Sequence, residues 1–208
     1  RNRAVRVYLN MLSQSIFSRL YRSNVFSFKS LKNYWQFSIP SFVYHARKEM
    51  LISFIVFTLA ILIGVLSSVN DGEFARFILG DRYVEMTLAN IESGDPMKVY
   101  KDSGATEMFL GITLNNLRVA LLTFVMGVFA SIGTVGILIS NGVMLGTFQY
   151  FFFEHGLLGE SALTIWQHGT LEISAIIIAG GAGLTLGRGL LFPGNYSRLH
   201  AFRISAKR

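Results

Sequence analysis

A histidine and a glutamate at the start of a long apolar stretch are the strongest candidates for chemistry in this chain. His168 and Glu172 are four residues apart, so a helix places both side chains on one face. The stretch 168–193 is long enough to cross a hydrocarbon core of ~30 Å as a helix. Ionisable groups inside a membrane are costly and are usually functional. Two interpretations stay open for the pair: polar packing between helices, or a working site.

Two asparagines and an arginine introduce another apolar run. Asn115, Asn116 and Arg118 come just before it. If the two spans are neighbours, Arg118 can form an ion pair with Glu172, and His168 can exchange a hydrogen bond with an asparagine amide. We therefore predict that these five side chains form a polar cluster inside the membrane, near the outer ends of their spans.

A metal or proton site is the competing hypothesis for the same region. His155 and Glu160, with His168 and Glu172, would supply two imidazoles and two carboxylates. Catalytic zinc usually needs three protein ligands and an open position, and the sequence lacks the His-Glu-x-x-His spacing of zinc proteases. The chain has no cysteine, which excludes thiolate sites. The sequence therefore predicts no enzyme, no catalytic residue, no metal and no cofactor.

Small residues recur every four positions along the last apolar stretch. They are Ala175, Ala179, Gly183 and Gly187. On a helix they form one groove, in which another helix backbone can approach closely. We predict that this groove packs helices together, within the chain or with a second copy.

The composition is that of a membrane protein. Of 208 residues, 51% are hydrophobic and the mean hydropathy is +0.45, which is too apolar for an average soluble domain. The net charge of +7 comes from basic residues that flank apolar runs, so anionic lipid headgroups explain it better than nucleic acid does. These features predict an all-α, polytopic membrane helical bundle.

The segment 1–50 is strongly basic, with nine lysines and arginines against one acid, Glu49. Its apolar residues at helical spacing are Val5, Leu9, Leu12, Ile16 and Leu20. This pattern predicts amphipathic, interfacial helices that bind anionic headgroups at the cytoplasmic face. A soluble helical hairpin is the alternative.

Four apolar segments predict a transmembrane domain over 51–193. The predicted spans are about 51–69, 119–139, 142–158 and 169–192. The dipeptide Asn141-Gly142 is a strong turn signal, and we predict that it joins the second and third spans as a hairpin.

Charge sets the predicted orientation of these spans. The loop 70–110 holds eight acids and four bases, and we predict a helix in it from Asp81 to about Glu92. The tail 194–208 is basic, like the segment 1–50. Because basic segments stay cytoplasmic, the two ends require an even number of crossings. The acidic loop is then extracytoplasmic.

Three polar motifs on apolar helices resemble a family signature when taken together. They are Asn115-Asn116-Leu117-Arg118-Val119-Ala120, Asn141-Gly142 with Gly146, and His168-Gly169-x-x-Glu172 followed by Ala175, Ala179-Gly180-x-Ala182-Gly183-Leu184 and Pro193. With Gly127 between the first two, the chain resembles the stage II sporulation protein M family of integral membrane proteins over about 9–198. The resemblance implies a helical protein of the bacterial inner membrane. It also implies helices upstream and one more hydrophobic helix downstream, so we expect this chain to be part of a longer protein.

The resemblance implies no enzymatic role. It implies a membrane scaffold like the namesake, which works with membrane-anchored peptidoglycan hydrolases. We therefore predict a non-enzymatic scaffold or assembly factor of a cell-envelope complex, with lipid, other envelope membrane proteins or a second copy as partners. A transporter subunit that uses Arg118, His168 and Glu172 is the alternative.

Overall fold

A computed structural model describes the backbone of residues 3–20, 28–96, 98 and 105–206, with side chains over most of these ranges. Nearly all of these residues are helical, and no β-strand occurs among them. The predicted all-α class is therefore confirmed. The chain divides into two compact units, Arg1–Tyr44 and His45–Arg208.

The first unit is made of short helices without a buried core among its described side chains. Helix α1 spans Arg3–Leu20, and α2 spans Phe28–Asn33. A π-helical segment, Tyr34–Ser38, leads into α3, Ile39–His45. The apolar positions of α1 from Val5 to Ile16 are exposed. A helix is therefore present where the sequence predicts one, and its amphipathic character and binding to a membrane surface stay predictions.

The second unit contains seven described helices. They are α4 (Arg47–Asn70), α5 (Phe74–Leu79), α6 (Asp81–Glu92), α7 (Ala105–Val125), α8 (Ile132–Glu154), α9 (Leu158–Leu191) and α10 (Arg198–Ser205). Four of them are long and apolar enough to cross a membrane: α4, α7 with its short extension to Val128, α8, and α9 from Gly169 onward. The predicted helix from Asp81 to Glu92 is confirmed as α6.

The predicted hairpin turn at Asn141-Gly142 is wrong. Both residues lie in the middle of α8, where Asn141 Nδ2 donates to the carbonyl oxygen of Ile137 in its own helix. The chain instead reverses direction just before α8, where Ala130 and Ser131 adopt positive φ angles of 50° and 66°. The second and third apolar helices therefore span 110–128 and 132–154, rather than 119–139 and 142–158.

Gly142 serves packing instead of a turn. A Cβ at Gly142 would lie 2.8 Å from the carbonyl oxygen of Phe57 on α4, and a Cβ at Gly146 would overlap the Ile61 carbonyl oxygen. The two helices run parallel, because the contacts advance along both in the same direction. Close backbone approach is the main attraction between helices in lipid, where the hydrophobic effect contributes little.

Helix α9 packs against three helices through glycines on several of its faces. Gly180 meets Ser53 of α4 and Leu138 of α8, while Gly183 meets Thr123 of α7 and Thr134 of α8. These contacts make α9 antiparallel to α4 and α8 and parallel to α7. Hydroxyl groups add hydrogen bonds between the helices. Ser53 donates to the Ile177 carbonyl oxygen at 2.8 Å, and Thr134 donates to the Thr123 carbonyl oxygen at 2.7 Å.

A small helical cap covers one end of the bundle. Val84 of α6 packs with Phe151 and Phe152 of α8 in an apolar cluster. Arg76 on α5 is surrounded by three carboxylates within 4 Å, those of Glu73, Asp81 and Glu85. We call α5 and α6 the acidic cap.

The opposite end, where α4 begins and α9 ends, carries the basic residues Arg47, Lys48 and Arg188, and we call it the basic end. Arg188 forms an ion pair with Glu49, whose carboxylate is buried while the arginine is 61% exposed. The predicted basic tail includes helix α10, which buries Ala201. It packs on α9 where Ser205 lies against Gly189.

We expect Gly183→Leu to destabilise the bundle while leaving its membrane insertion intact. A Cβ there would lie 2.7 Å from the Thr123 carbonyl oxygen, and this backbone atom cannot move aside as a flexible side chain can. Overpacking of this kind should lower the free energy of unfolding by about 3 kcal/mol. Thermal unfolding in detergent, followed by far-UV circular dichroism, measures the change.

Gly136→Leu on α8 is the matched control, since a Cβ added at this glycine would have no atom within 4 Å among the described residues. An equal loss of stability in both variants would contradict packing at Gly183.

We expect Arg188→Ala to lower the free energy of unfolding by about 1–3 kcal/mol, because it leaves the buried Glu49 carboxylate without its ion-pair partner. Solvent around the exposed arginine keeps the effect toward the lower end of this range. Chemical denaturation in detergent at low and high salt measures it. Arg203→Ala on α10, where the arginine is exposed, should change little. Equal effects of both variants would argue against the pair.

Candidate functional site

A hydrogen bond between Asn116 and Glu172 joins α7 to α9. Asn116 Nδ2 donates to Glu172 Oε2 at 2.6 Å. The same nitrogen also donates to the Ile112 carbonyl oxygen one turn earlier, at 3.0 Å, which holds the amide in place. Both side chains are partly buried. A bond to a carboxylate is stronger than one between neutral groups, so this contact ties the two helices together.

The residues next to this pair pack against the apolar core of the bundle. Ile173, next to Glu172, packs into an apolar core that includes Leu138 and Leu145 of α8. Glu172 is three residues after the start of its apolar segment, Gly169–Leu191, and Asn116 is six residues after the start of Leu110–Val128. The position of the cluster near the outer ends of the spans therefore stays a prediction. Helix α9 itself begins at Leu158, but its apolar segment begins at Gly169, where the sequence predicts the start of the last span.

The structure does not contain the predicted ion pair between Arg118 and Glu172. No described carboxylate lies within 4 Å of the Arg118 guanidinium, and the arginine side chain is exposed. Arg118 is two positions beyond Asn116, which places it about 200° around α7 from the asparagine. The two polar residues therefore point to opposite sides of the helix, and the predicted cluster is divided.

Arg118 lies in an apolar stripe on the outer side of α7. The stripe, which we call the Arg118 face, consists of Leu114, Leu117, Arg118, Leu121, Leu122 and Val125. These residues line a shallow, open groove of about 340 Å³. Within the apolar segment 110–128, Arg118 is about 12 Å from one end and about 15 Å from the other. An arginine at the centre of a membrane helix raises the free energy of membrane insertion by about 2.5–3.5 kcal/mol.

The remaining predicted residues have different environments. Asn115 is exposed, and the side chain of His168 lies outside the described residues. In the predicted groove, Ala175 is exposed and Ala179 is partly buried, while Gly183 and Gly187 are buried. Gly187 lies against Ser131 and the Gly127 carbonyl oxygen. The glycine half of the groove is therefore used for packing within the chain.

The hypothesis of a metal site gains no support from the described residues. His155 Nδ1 lies 2.8 Å from the Phe151 carbonyl oxygen of its own helix, and Glu160 is exposed. Among the side chains that the structure describes, no group of three or more His, Cys, Asp and Glu is placed to hold an ion.

Several important contacts were not predicted from the sequence. Glu49 and Arg188 meet at the basic end, although they are far apart in the chain. Gly64 of α4 and Gly127 of α7 also lie in backbone contact with neighbouring helices. Glycines four apart, such as Gly142 and Gly146, are a signal for close helix packing. That signal competed with a turn signal at Asn141-Gly142, and the turn was predicted instead.

Two buried polar atoms on α8 have no hydrogen-bond partner among the described residues. They are Thr147 Oγ1 and Gln149 Nε2. Thr147 has no exposed surface. Both residues lie in the half of α8 that is nearer to the acidic cap.

Comparison with known proteins gives one result. The family model described as stage II sporulation protein M matches residues 53–208. No curated protein and no solved structure matches the chain. The matched region contains the Asn116–Glu172 pair, the Arg118 face and nearly all of the four apolar helices. Because this match covers most of the sequence, the chain belongs to the stage II sporulation protein M family of integral membrane proteins.

Proposed function

We propose that this protein is a non-enzymatic scaffold or assembly factor of a cell-envelope complex in the bacterial inner membrane. The observation that carries the proposal is the bond from Asn116 to Glu172. It uses a carboxylate inside the bundle to join two helices of the same chain. A carboxylate bonded in this way helps to fix how α7 and α9 align. A scaffold protein requires such a fixed alignment of its helices.

The contacts between helices at glycines support the same proposal. Gly127 and Gly183 lie in backbone contact between α7 and α9, and Gly64 meets Val143 between α4 and α8. At each of these three glycines, an added Cβ would overlap the neighbouring backbone. A bundle packed in this way favours a fixed arrangement of helices over one that opens and closes.

The ends of the bundle offer surfaces for partners. We propose that the basic end faces the cytoplasm and anionic headgroups, in accord with the positive-inside rule, and that the acidic cap faces outward. On the cap, Phe77 is 83% exposed beside the charged cluster of Arg76. An exposed aromatic residue on a charged surface is typical of a binding site for a protein partner.

A transporter subunit is the second candidate, and one observation favours it. Glu172 lies inside the apolar bundle, and the atoms of Thr147 and Gln149 that lack partners among the described residues add polar groups there. Intramembrane carboxylates often form part of ion or proton pathways. In this case Glu172 would change its protonation during a transport cycle, which an amide cannot do.

We expect Glu172→Gln to retain assembly and Glu172→Leu to weaken it. A glutamine keeps an oxygen that accepts from Asn116, whereas leucine leaves the amide without that acceptor and should cost about 1–3 kcal/mol of bundle stability. The measurements are unfolding in detergent and co-purification of partners after cross-linking in native membranes. Under the transport hypothesis, Glu172→Gln would instead abolish proton movement in proteoliposomes that contain an entrapped pH-sensitive dye. Glu172-dependent proton flux would contradict the scaffold proposal.

We expect Phe77→Ser to reduce co-purification of outer partners severalfold without changing bundle stability, because its exposed ring makes little contact within the chain. Quantitative mass spectrometry after cross-linking in native membranes measures the effect. Val84→Ser is the contrasting control. Val84 is buried where the cap packs on α8, so its replacement should lower the stability of the bundle. Unchanged partner recovery in Phe77→Ser would remove the acidic cap as a docking surface.

A further inference from the structure

The Arg118 face combines an apolar surface with one deep charge. Leu114, Leu117 and Leu121 are between 55% and 62% exposed, and Val125 is 51% exposed. A leucine stripe alone would be ordinary lipid-facing surface. Arg118 makes this stripe different, because its guanidinium has no counter-ion among the described residues and lies about 12 Å or more from either end of the apolar segment. Arginines near helix ends reach the headgroups, and this one lies near the middle.

Among the described residues, no carboxylate forms an ion pair with this arginine. The segment 1–44 contains no Asp or Glu, and neither does 188–208. The described acids of the loop 70–110 lie outside the apolar segments. Within those segments, the carboxylate at a similar depth is Glu172, and it accepts from Asn116 on the other side of α7. A second copy of these 208 residues would carry the same charges, with its own Glu172 accepting from its own Asn116.

We infer that the Arg118 face is an intramembrane docking surface for a transmembrane helix of a different protein, one that carries an aspartate or glutamate near mid-membrane. The leucines pack against that helix, and the guanidinium forms a charge-assisted pair with its carboxylate. Pairing removes the cost of each charge in lipid, so the arginine selects partners by charge. This inference rests on the proposed scaffold function and names the chemistry of one partner.

The test is site-specific photo-cross-linking in native membranes with a photoreactive phenylalanine derivative. The probe replaces Leu117 on the Arg118 face or, as a control, Ile55 on α4, which is 45% exposed and lies within the first apolar helix. We expect the Leu117 probe to yield an adduct with another protein, cross-linked within an apolar segment that contains Asp or Glu. The Ile55 probe should yield lipid adducts.

The charge is tested by substitution on both partners. Arg118→Leu should reduce the Leu117 adduct about tenfold or more, and Arg118→Lys should retain most of it. Arg118→Glu should abolish the adduct, and replacement of the partner's carboxylate residue by lysine should restore it. Because Arg118 is on the outside of the bundle, unfolding of these variants in detergent should match that of the parent, and this separates docking from folding.

Four outcomes would overturn the inference: lipid adducts alone at Leu117, adducts with a second copy of this chain, a cross-linked segment without a carboxylate, or an adduct that Arg118→Leu leaves unchanged. The scaffold proposal has a separate readout, the recovery of partners through the acidic cap. If partners are still recovered there while the Arg118 face contacts only lipid, the inference fails and the proposed function stands. If no partner is recovered by either route, both fail.

Discussion

Close approach of helix backbones is the constraint on which the rest of this structure depends. Lipid tails are as apolar as leucine, so burial of leucine does not hold membrane helices together, and packing must do so. Glycines supply that packing here: Gly146 admits the backbone at Ile61, and Gly127 lies directly against Gly183. Helices packed this closely have little freedom to slide along one another. The glycine contacts therefore fix which residues of each helix face one another.

The fixed register explains where the polar residues lie. With α7 and α9 parallel and in contact at Gly127 and Gly183, Asn116 is brought to Glu172. The same rotation of α7 turns Arg118 outward. A step of two residues along a single helix thus separates an internal bond from an external charge. The proposed scaffold function and the proposed docking face follow from these two sides of α7.

The two ends of the bundle differ in chemistry, and each end is held by its own contacts. At one end, Arg188 reaches the buried carboxylate of Glu49, and α10 packs on the last turns of α9. At the other end, Val84 anchors the acidic cap on the phenylalanines of α8. These contacts attach the polar segments firmly to the apolar helices. Under the proposed scaffold function, ends attached in this way present a surface for partners on each side of the membrane.

The sequence by itself determined the helical class, the membrane character, four apolar segments, the helix from Asp81 to Glu92 and the family, because each of these depends on local periodicity, hydropathy or motif. It also identified Glu172 and Asn116 as unusual polar residues. Only the tertiary structure decided that they bond to each other and that Arg118 does not join them, since rotation of a helix is set by packing. For the same reason the sequence misplaced the turn: Gly142 is compatible with a hairpin or a helix, and contact with α4 decided for the helix.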